Sequence, residues 1–320
     1  MTTPPTYVPR RAARSEFVAL RGLRIHVNVW GDASVVAANR PALVMLHGWM
    51  DVGASFQFVV DALPAPRCVI APDWRGFGES TAPAADCYWF PDYLADLDAL
   101  LDALLPGQQV DLVGHSMGGN VAMLYAGVRP ERVRRLVNLE GFGMPDAPPQ
   151  LAPKRYRQWL DALRTPPRLR GYASLDAVAE RLRATNPLLR PERAAWLASR
   201  WSRREIDAET GEPEWVLLAD PAHKLVNPVL YRKDEVIECW KQIKAPMLWV
   251  EGDRTEIAKW WGDRYSVEEF YTRLAVVPNV ERHRLSPASH MLHHDQPEAL
   301  AALLSAFLDA PDAPAAAARP

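Results

Sequence analysis

Short apolar runs recur along the chain at a spacing that predicts a parallel β-sheet. They lie at residues 42–46, 68–71, 110–113, 133–139, 247–250 and 280–285. Runs this short and this apolar are typical of strands buried on both faces, and stretches between them such as 93–105 favour crossover helices. Two alternating segments, 16–20 and 23–30, precede these runs and predict a hairpin. The whole pattern predicts a mostly parallel, doubly wound α/β sheet of eight strands.

The hydrophobic pattern changes within residues 142–233. This span is rich in Pro, Arg and Trp and has no strong strand before about 215–218. Its helix-like pieces are 154–163, 175–184 and 191–202. We interpret the span as a helical cap inserted into a core domain that consists of 15–141 and 234–308. The tryptophans of the cap favour packing inside it over lining a pocket, because large aromatic side chains dominate cores.

The two ends of the chain lack apolar periodicity. Residues 1–14 are rich in Pro, Thr and Arg, and residues 309–320 are a low-complexity stretch of Pro and Ala. Both ends are therefore expected to be flexible. The N-terminal residues show no apolar segment of a secretory signal, and no run in the chain approaches 18 apolar residues. The sequence predicts a cytoplasmic protein without a membrane partner.

Charge and cysteine content exclude several kinds of partner and site. The chain has 37 basic and 39 acidic residues and a formal net charge of −2, which argues against a nucleic-acid partner. Its 3 cysteines are far apart and show no metal-ligand spacing, so reduced thiols are expected. No glycine-rich phosphate loop or dinucleotide fingerprint is present, and no cofactor is predicted. The oligomeric state cannot be read from these features.

The clearest chemical motif is Gly-His-Ser-Met-Gly at residues 114–118, between a predicted strand and a predicted helix. A serine hydroxyl is a poor nucleophile, so an enzyme that uses one must expose it, supply a base and stabilise an oxyanion. Glycines two residues before and after Ser116 leave room for the strained turn that lifts the side chain above the sheet. The helix that follows directs its positive dipole end at the same place. Ser116 is the predicted nucleophile.

The strand at 42–46 ends in His47-Gly48-Trp49. In enzymes with a nucleophile on a strand–turn–helix, a loop after such a strand gives one backbone N–H to the oxyanion hole, and the residue after the nucleophile gives the other. The predicted donors are the amides of Trp49 and Met117. At a strand end, His47 is expected to fix the geometry of the loop.

A histidine-rich stretch precedes the final amphipathic helix. The base of such a site follows the last strand, and His290 occupies that place. His293 and His294 are expected at or near the start of the final helix. No carboxylate or cysteine at metal-ligand spacing lies nearby, so no metal site is predicted.

With these motifs, the chain resembles the α/β-hydrolase superfamily over roughly residues 16–308. The loop at residues 73–80, Asp-Trp-Arg-Gly-Phe-Gly-Glu-Ser, is similar to a structural loop after the fourth strand of that superfamily. The details look most like bacterial serine-hydrolase-like proteins, which share a layout with haloalkane dehalogenases. The resemblance implies a cap inserted after the sixth strand. It disfavours dehalogenation, because the dehalogenases use an aspartate where this chain has Ser116.

The acid of the triad is left open among three carboxylates. Many α/β-hydrolases place it in a Gly-x-x-Asp pattern after the seventh strand, where this chain has Thr255. Asp253 lies two residues before that position and Glu256 one residue after it. The resemblance to some superfamily members, including a group of dehalogenases, offers Glu140 at the end of the sixth strand instead. We favour Glu140, because a carboxylate at that strand end can orient His290.

These features predict a serine hydrolase that acts on a small ester-like carbonyl substrate through an acyl-enzyme. Cleavage of a carbon–carbon bond, a lactonase or amidase reaction, and cofactor-free perhydrolysis would use the same triad. A catalytically idle scaffold that binds a ligand is the alternative outside enzymology.

Overall fold

An eight-stranded sheet lies at the centre of the part of the chain that the structure describes, residues 6–32, 36–37, 40–207 and 209–311 of a computed structural model. The strands are β1 (Arg14–Leu20), β2 (Leu23–Trp30), β3 (Leu43–Leu46), β4 (Val69–Pro72), β5 (Val110–His115), β6 (Val133–Leu139), β7 (Ser202–Ile206), β8 (Pro213–Leu217), β9 (Met247–Gly252) and β10 (Val280–Leu285). Their order in the sheet is β1-β2-β4-β3-β5-β6-β9-β10. The hairpin β1–β2 and the pair β2–β4 are antiparallel, and the other neighbours are parallel. The predicted fold class is confirmed.

Helices cover both faces of this sheet. They are α1 (Gln57–Ala62), α2 (Phe90–Leu104), α3 (Met117–Val128), α4 (Ala152–Arg164), α5 (Leu175–Thr185), α6 (Pro191–Trp201), α7 (Lys233–Trp240), α8 (Ala258–Trp261), α9 (Val267–Leu274), α10 (Leu292–Asp295) and α11 (Pro297–Leu308). Helices α1 and α11 pack on one face, whereas α2, α3, α7 and α9 pack on the other. Among the described helices, none has the length and apolar character that crossing a bilayer requires.

Strand β3 shows why its residues form a buried strand. Leu43 and Met45 point into the core under α1 and α11, and Val44 and Leu46 point into the core under α2 and α3. All four side chains are fully buried. A strand buried on both faces needs apolar residues at every position, so it shows a continuous run instead of an alternation.

The span that the sequence assigns to a cap contains α4, α5, α6 and the separate hairpin β7–β8. Trp196 of α6 is buried in a small core with Val178 and Leu182 of α5, and Phe58 of α1 joins it from the core domain. Trp201 and Trp215 lie at the edge of this cluster. Helix α4 stands apart, because none of its residues is buried. The cap therefore packs through α5, α6 and its hairpin.

The described part of the N-terminal segment differs from the expected flexible chain. The Tyr7 hydroxyl donates a hydrogen bond of 2.6 Å to Asp61 of α1. The same carboxylate accepts from the amides of Arg10 and Arg11 at 3.0 and 2.8 Å. The buried Asp61 carboxylate needs hydrogen-bond donors, and the N-terminal segment supplies them although it lacks apolar periodicity. Residues 1–5 of the predicted segment lie outside the described residues.

At the other end, the residues just after α11 are also bound. Arg67 donates to Asp309 at 3.0 Å, and Arg135 donates to the carbonyl of Ala310 at 2.6 Å. The remainder of the predicted tail, residues 312–320, lies outside the described residues.

Candidate active site

Ser116 lies at the turn between β5 and α3. Its backbone φ is 52°, in the left-handed region that non-glycine residues rarely adopt. Two hydrogen bonds hold the turn: the Ser116 amide donates to Leu139 at 2.8 Å, and the Ser116 carbonyl accepts from Asn120 at 3.0 Å. The strained turn raises the side chain above the carboxyl ends of the strands, where it faces a cavity.

Two glycines make this turn possible. A Cβ atom on Gly114 would lie 2.2 Å from the carbonyl oxygen of Gly118, and one on Gly118 would lie 2.2 Å from that of Leu46. Both neighbours are backbone atoms that a rotamer change cannot move. The Gly-x-Ser-x-Gly spacing is therefore a steric requirement of the way α3 approaches β5 and β3.

His290 and Glu140 complete a chain of hydrogen bonds that begins at Ser116. The His290 Nε2 atom is 2.9 Å from the Ser116 Oγ, and its Nδ1 atom is 2.7 Å from the Glu140 Oε2. Glu140 is 1% exposed, whereas the His290 side chain is 24% exposed and open to the cavity. The structure brings together the predicted nucleophile, base and favoured acid with hydrogen-bond geometry.

The Glu140 carboxylate is held by two further donors. The Gly252 amide donates to Oε1 at 2.6 Å, and the Thr255 hydroxyl donates to Oε2 at 2.8 Å. Thr255 thus occupies the position at which the Gly-x-x-Asp pattern would place a carboxylate, and it donates instead to the Glu140 carboxylate at the end of β6. The sequence marked this position as lacking a carboxylate, but it gave no sign of this contact.

The other two carboxylates point elsewhere. Asp253 accepts from the Ser286 hydroxyl at 2.6 Å and from the Ala288 amide at 2.8 Å. Glu256 pairs with Lys259 at 3.0 Å. Asp253 therefore shapes the loop before His290, and Glu140 is the carboxylate that contacts the imidazole.

The predicted oxyanion donors, Trp49 and Met117, both line the cavity that contains Ser116. Met117 is the first residue of α3, so its N–H has no partner within the helix. Among the described residues, no backbone carbonyl accepts from the Trp49 amide. His47 supports this loop, since its Nδ1 lies 2.7 Å from the Gly48 carbonyl and its Nε2 accepts from the Trp74 amide at 2.9 Å.

A family model for the α/β hydrolase fold matches residues 41–297. The chain belongs to the α/β hydrolase fold family. That membership and the named relatives below support a hydrolase enzyme.

Three similar proteins illustrate the range of this α/β hydrolase family. A serine hydrolase-like protein of Danio rerio is 27% identical, covering 95% of this chain and 90% of its own. A 3-hydroxybutyrate-oligomer hydrolase of Cupriavidus necator is 30% identical, covering 81% of this chain and 85% of its own. Among solved structures, a thioesterase domain from the curacin biosynthetic pathway is 26% identical with a TM-score of 0.76, covering 92% of this chain and 99% of its own.

A cluster of buried histidines in this α/β hydrolase, His115, His293 and His294, lies next to His290. His115 Nε2 is 2.8 Å from the His290 carbonyl, and burial lowers the pKa of His115 well below its usual value. An imidazole kept neutral can donate this hydrogen bond without placing a charge behind His290. Sequence reasoning missed His115, because the position between the glycine and the serine of the motif carries no fixed residue.

Asp51, His293 and His294 can hold a metal ion. Their ligand atoms lie within 4.8 Å of one another, and all three residues are buried. This is a donor set that zinc uses in proteins. The sequence predicted no metal site because it showed no carboxylate at ligand spacing, and the fold brings Asp51 from the loop after β3.

Two cavities of about 700 Å³ each open onto His290. The first, here the nucleophile chamber, is lined by residues that include Ser116, Met117, Phe142 and Trp89. The second, the cap chamber, is lined by the cap residues Leu182, Leu197 and Trp201 together with loop residues. Both cavities share the side chains Trp49, Lys224, Trp260 and His290. The ring of Trp260 lies 4.5 Å from that of His290, so these two rings stand side by side at the boundary that the chambers share.

Proposed function

We propose that this α/β hydrolase is a carboxylic ester hydrolase that uses Ser116 as nucleophile, His290 as base and Glu140 as acid. The observation that carries the proposal is the continuous pair of hydrogen bonds, 2.9 Å from Ser116 to His290 and 2.7 Å from His290 to Glu140. The chain order, serine then acid then histidine, is that of the fold family. A small ester-like molecule is the proposed substrate, and no cofactor takes part.

In the first half of the reaction, the Ser116 Oγ attacks the ester carbonyl and its proton passes to the His290 Nε2. Glu140 stabilises the imidazolium that forms. The tetrahedral oxyanion accepts hydrogen bonds from the amides of Trp49 and Met117 at the positive end of α3. Collapse of this intermediate expels the alcohol, which takes the proton from His290 and leaves an acyl-enzyme on Ser116.

In the second half, His290 removes a proton from water, and the hydroxide oxygen attacks the acyl carbonyl. The same two amides stabilise the second oxyanion. Its collapse releases the carboxylic acid and returns the proton from His290 to Ser116. One ester and one water thus yield one acid and one alcohol.

The first test is hydrolysis of 4-nitrophenyl butyrate by a Ser116→Ala variant. We expect activity to fall to the level of the buffer, and Ser305→Ala on α11 serves as the matched control. A fluorophosphonate probe is expected to label the unmodified protein and the Ser305→Ala variant only. Full esterase activity of Ser116→Ala would overturn the proposal.

A substrate screen separates esters from other substrates of the same triad. The name of the Cupriavidus relative, a hydrolase of 3-hydroxybutyrate oligomers, supports a small ester. Vinylogous diketones, lactones and amides form the comparison set. Labelling of Ser116 without turnover of any of these would favour an idle scaffold that binds a ligand.

A further inference from the structure

The cap chamber has an excess of positive charge at its opening. Its basic lining residues are Arg170, Arg181, Lys224, Arg254 and Lys259, and Glu256 is the acidic residue among its described lining. Lys259 and Glu256 pair with each other at 3.0 Å and cancel. Four cationic side chains therefore remain, and all four are exposed.

Among the described residues, no carboxylate oxygen lies within 4.0 Å of a charged nitrogen of these four side chains. Arg170 lies over the ring of Tyr172 at 5.3 Å, and Lys224 donates to the Arg168 carbonyl at 3.3 Å. The carboxylate nearest to Arg254 in sequence, Asp253, binds Ser286 and Ala288 instead. The charge at the chamber is thus available to a ligand.

The proposed reaction assigns each chamber to one half of the substrate. The acyl group must lie beside Ser116 and the oxyanion donors, and both Ser116 and Met117 line the nucleophile chamber alone. The leaving group must receive a proton from His290, which lines both chambers. A leaving group that receives this proton can therefore extend past His290 into the cap chamber, which shares Trp49 and Trp260 with the nucleophile chamber.

We propose that the cap chamber binds an anionic leaving group, an alcohol that carries a carboxylate or phosphate. This inference rests on the proposed ester hydrolysis and names its substrate class. The carbon skeleton of the leaving group packs on Leu182, Leu197 and Trp201, and its anion reaches the cations at the opening. Arginine suits this role, because its planar fork donates two parallel hydrogen bonds to a carboxylate or phosphate.

Two chromogenic esters with the same acyl group test the proposal. The 4-carboxyphenyl ester of butyric acid carries an anion on its leaving group, and the 4-(methoxycarbonyl)phenyl ester is its neutral counterpart. We expect the unmodified enzyme to prefer the anionic ester in kcat/KM and to lose this preference at about 0.5 M NaCl, where exposed charges are screened. A phosphate-bearing phenyl butyrate shows which of the two anions the chamber favours.

The matched variants are Arg181→Gln with Arg254→Gln, and Arg183→Gln as control. Arg183 is exposed on the same helix as Arg181 but does not line the chamber. We expect the double variant to lower the ratio of anionic to neutral kcat/KM by about tenfold, since an exposed ion pair contributes up to roughly fivefold. The control should leave that ratio unchanged.

Equal kcat/KM for charged and neutral esters in the unmodified enzyme would overturn this inference and leave the ester hydrolase proposal standing. An unchanged ratio in the double variant would overturn it as well. Hydrolysis of both esters by Ser116→Ala would instead refute the proposed function itself, so the two failures are distinguishable.

Discussion

At the scale of single residues, the proposed acid Glu140 has a positive φ that only three other non-glycine residues of the described chain adopt, Arg21, Met50 and Ser116. Glu140 has a φ of 57°, and its amide donates to Val250 at 3.1 Å. This backbone turns the carboxylate from the end of β6 toward the loop after β9. There it meets two donors besides His290, the Gly252 amide and the Thr255 hydroxyl. A carboxylate with three donors is oriented before a substrate arrives.

Replacing Glu140 by Gln should lower kcat/KM for 4-nitrophenyl butyrate by about a thousandfold or more, because the amide leaves the imidazolium without its counter-charge. Asp253→Asn is the matched comparison, since Asp253 shapes the neighbouring loop without touching His290. We expect it to keep most of the activity. A large loss in Asp253→Asn with little loss in Glu140→Gln would contradict the assignment of the acid.

Thr255 is expected to act by positioning Glu140. Thr255→Val removes the donor of the 2.8 Å hydrogen bond and keeps the shape of the side chain. A lost hydrogen bond to a charged acceptor costs about 1.5–3 kcal/mol, so kcat should fall by roughly tenfold or more. Thr255→Ser restores the hydroxyl and should restore kcat. Equal loss in the Val and Ser variants would show that only packing matters at this position.

At the scale of elements, the turn before α3 requires backbones to approach too closely for any side chain. Gly118→Ala would place a Cβ 2.2 Å from the Leu46 carbonyl oxygen. We expect the free energy of unfolding to fall by about 3 kcal/mol or more, as overpacking against backbone does. Urea unfolding measures this change.

The control for this prediction is Gly107→Ala. Gly107 has a φ of 68°, but a Cβ atom at this residue would meet no heavy atom within 4 Å. Its substitution reports the cost of the left-handed conformation alone, about 1–2 kcal/mol. Equal losses in the two variants would mean that the close approach of α3 to β3 contributes nothing measurable.

Elements were predictable from sequence where their pattern is local. Strand β6 lies where its apolar run predicted it, because burial of both faces requires such a run, and strand β2 lies where the alternating segment 23–30 predicted a hairpin strand. Strand β7 was missed, since its sequence Ser-Arg-Arg-Glu-Ile is mostly polar and it pairs only with β8. A two-stranded ribbon on the protein surface needs no apolar face, so its sequence lacks the alternation of apolar and polar residues that predicts a strand.

The candidate site, like the strands and helices, was predictable where its signal is local in the sequence. Ser116 and its glycines stand in one motif, and His290 follows the last strand, so local spacing identified them. The acid stayed open because the contacts of Glu140 with Thr255 and His290 join segments far apart in the chain. The Asp51 side chain beside His293 was not foreseen for the same reason. Contacts between distant segments depend on the packing of the whole sheet, which spacing along the chain does not record.

At the scale of the whole molecule, the predicted cap is bound to the loop that carries His290. The Asn186 side chain, just after α5, donates to Asp295 at 2.7 Å. The other oxygen of Asp295 accepts from the Ser289 amide at 2.8 Å, one residue before His290. Arg193 of α6 donates to the His294 carbonyl at 3.0 Å. The predicted cap and the loop that carries His290 are therefore joined by hydrogen bonds.

Buried histidines should make the free energy of unfolding of the protein depend on pH. Burial lowers the pKa of His47, His115 and His294, and it lowers that of His223 to about 4. In the unfolded chain these histidines bind protons below about pH 6.5. In the folded protein the same imidazoles stay neutral there. The contribution of the neutral imidazoles to the free energy of unfolding is therefore complete above pH 6.5 and is lost as the pH falls below that value. In that range, each histidine should lower the free energy of unfolding by about 1.4 kcal/mol for every pH unit.

Urea unfolding between pH 7 and pH 5 measures this dependence. We expect the free energy of unfolding to fall steeply over that range, and His294→Gln should reduce the slope because it removes one of the groups. The absolute stability of this variant will also change, since a buried side chain is replaced, so the slope with pH is the informative quantity. His283→Gln on the exposed side of β10 is the control and should keep the original slope. A flat profile in the unmodified protein would mean that water or protons reach these imidazoles in the folded state.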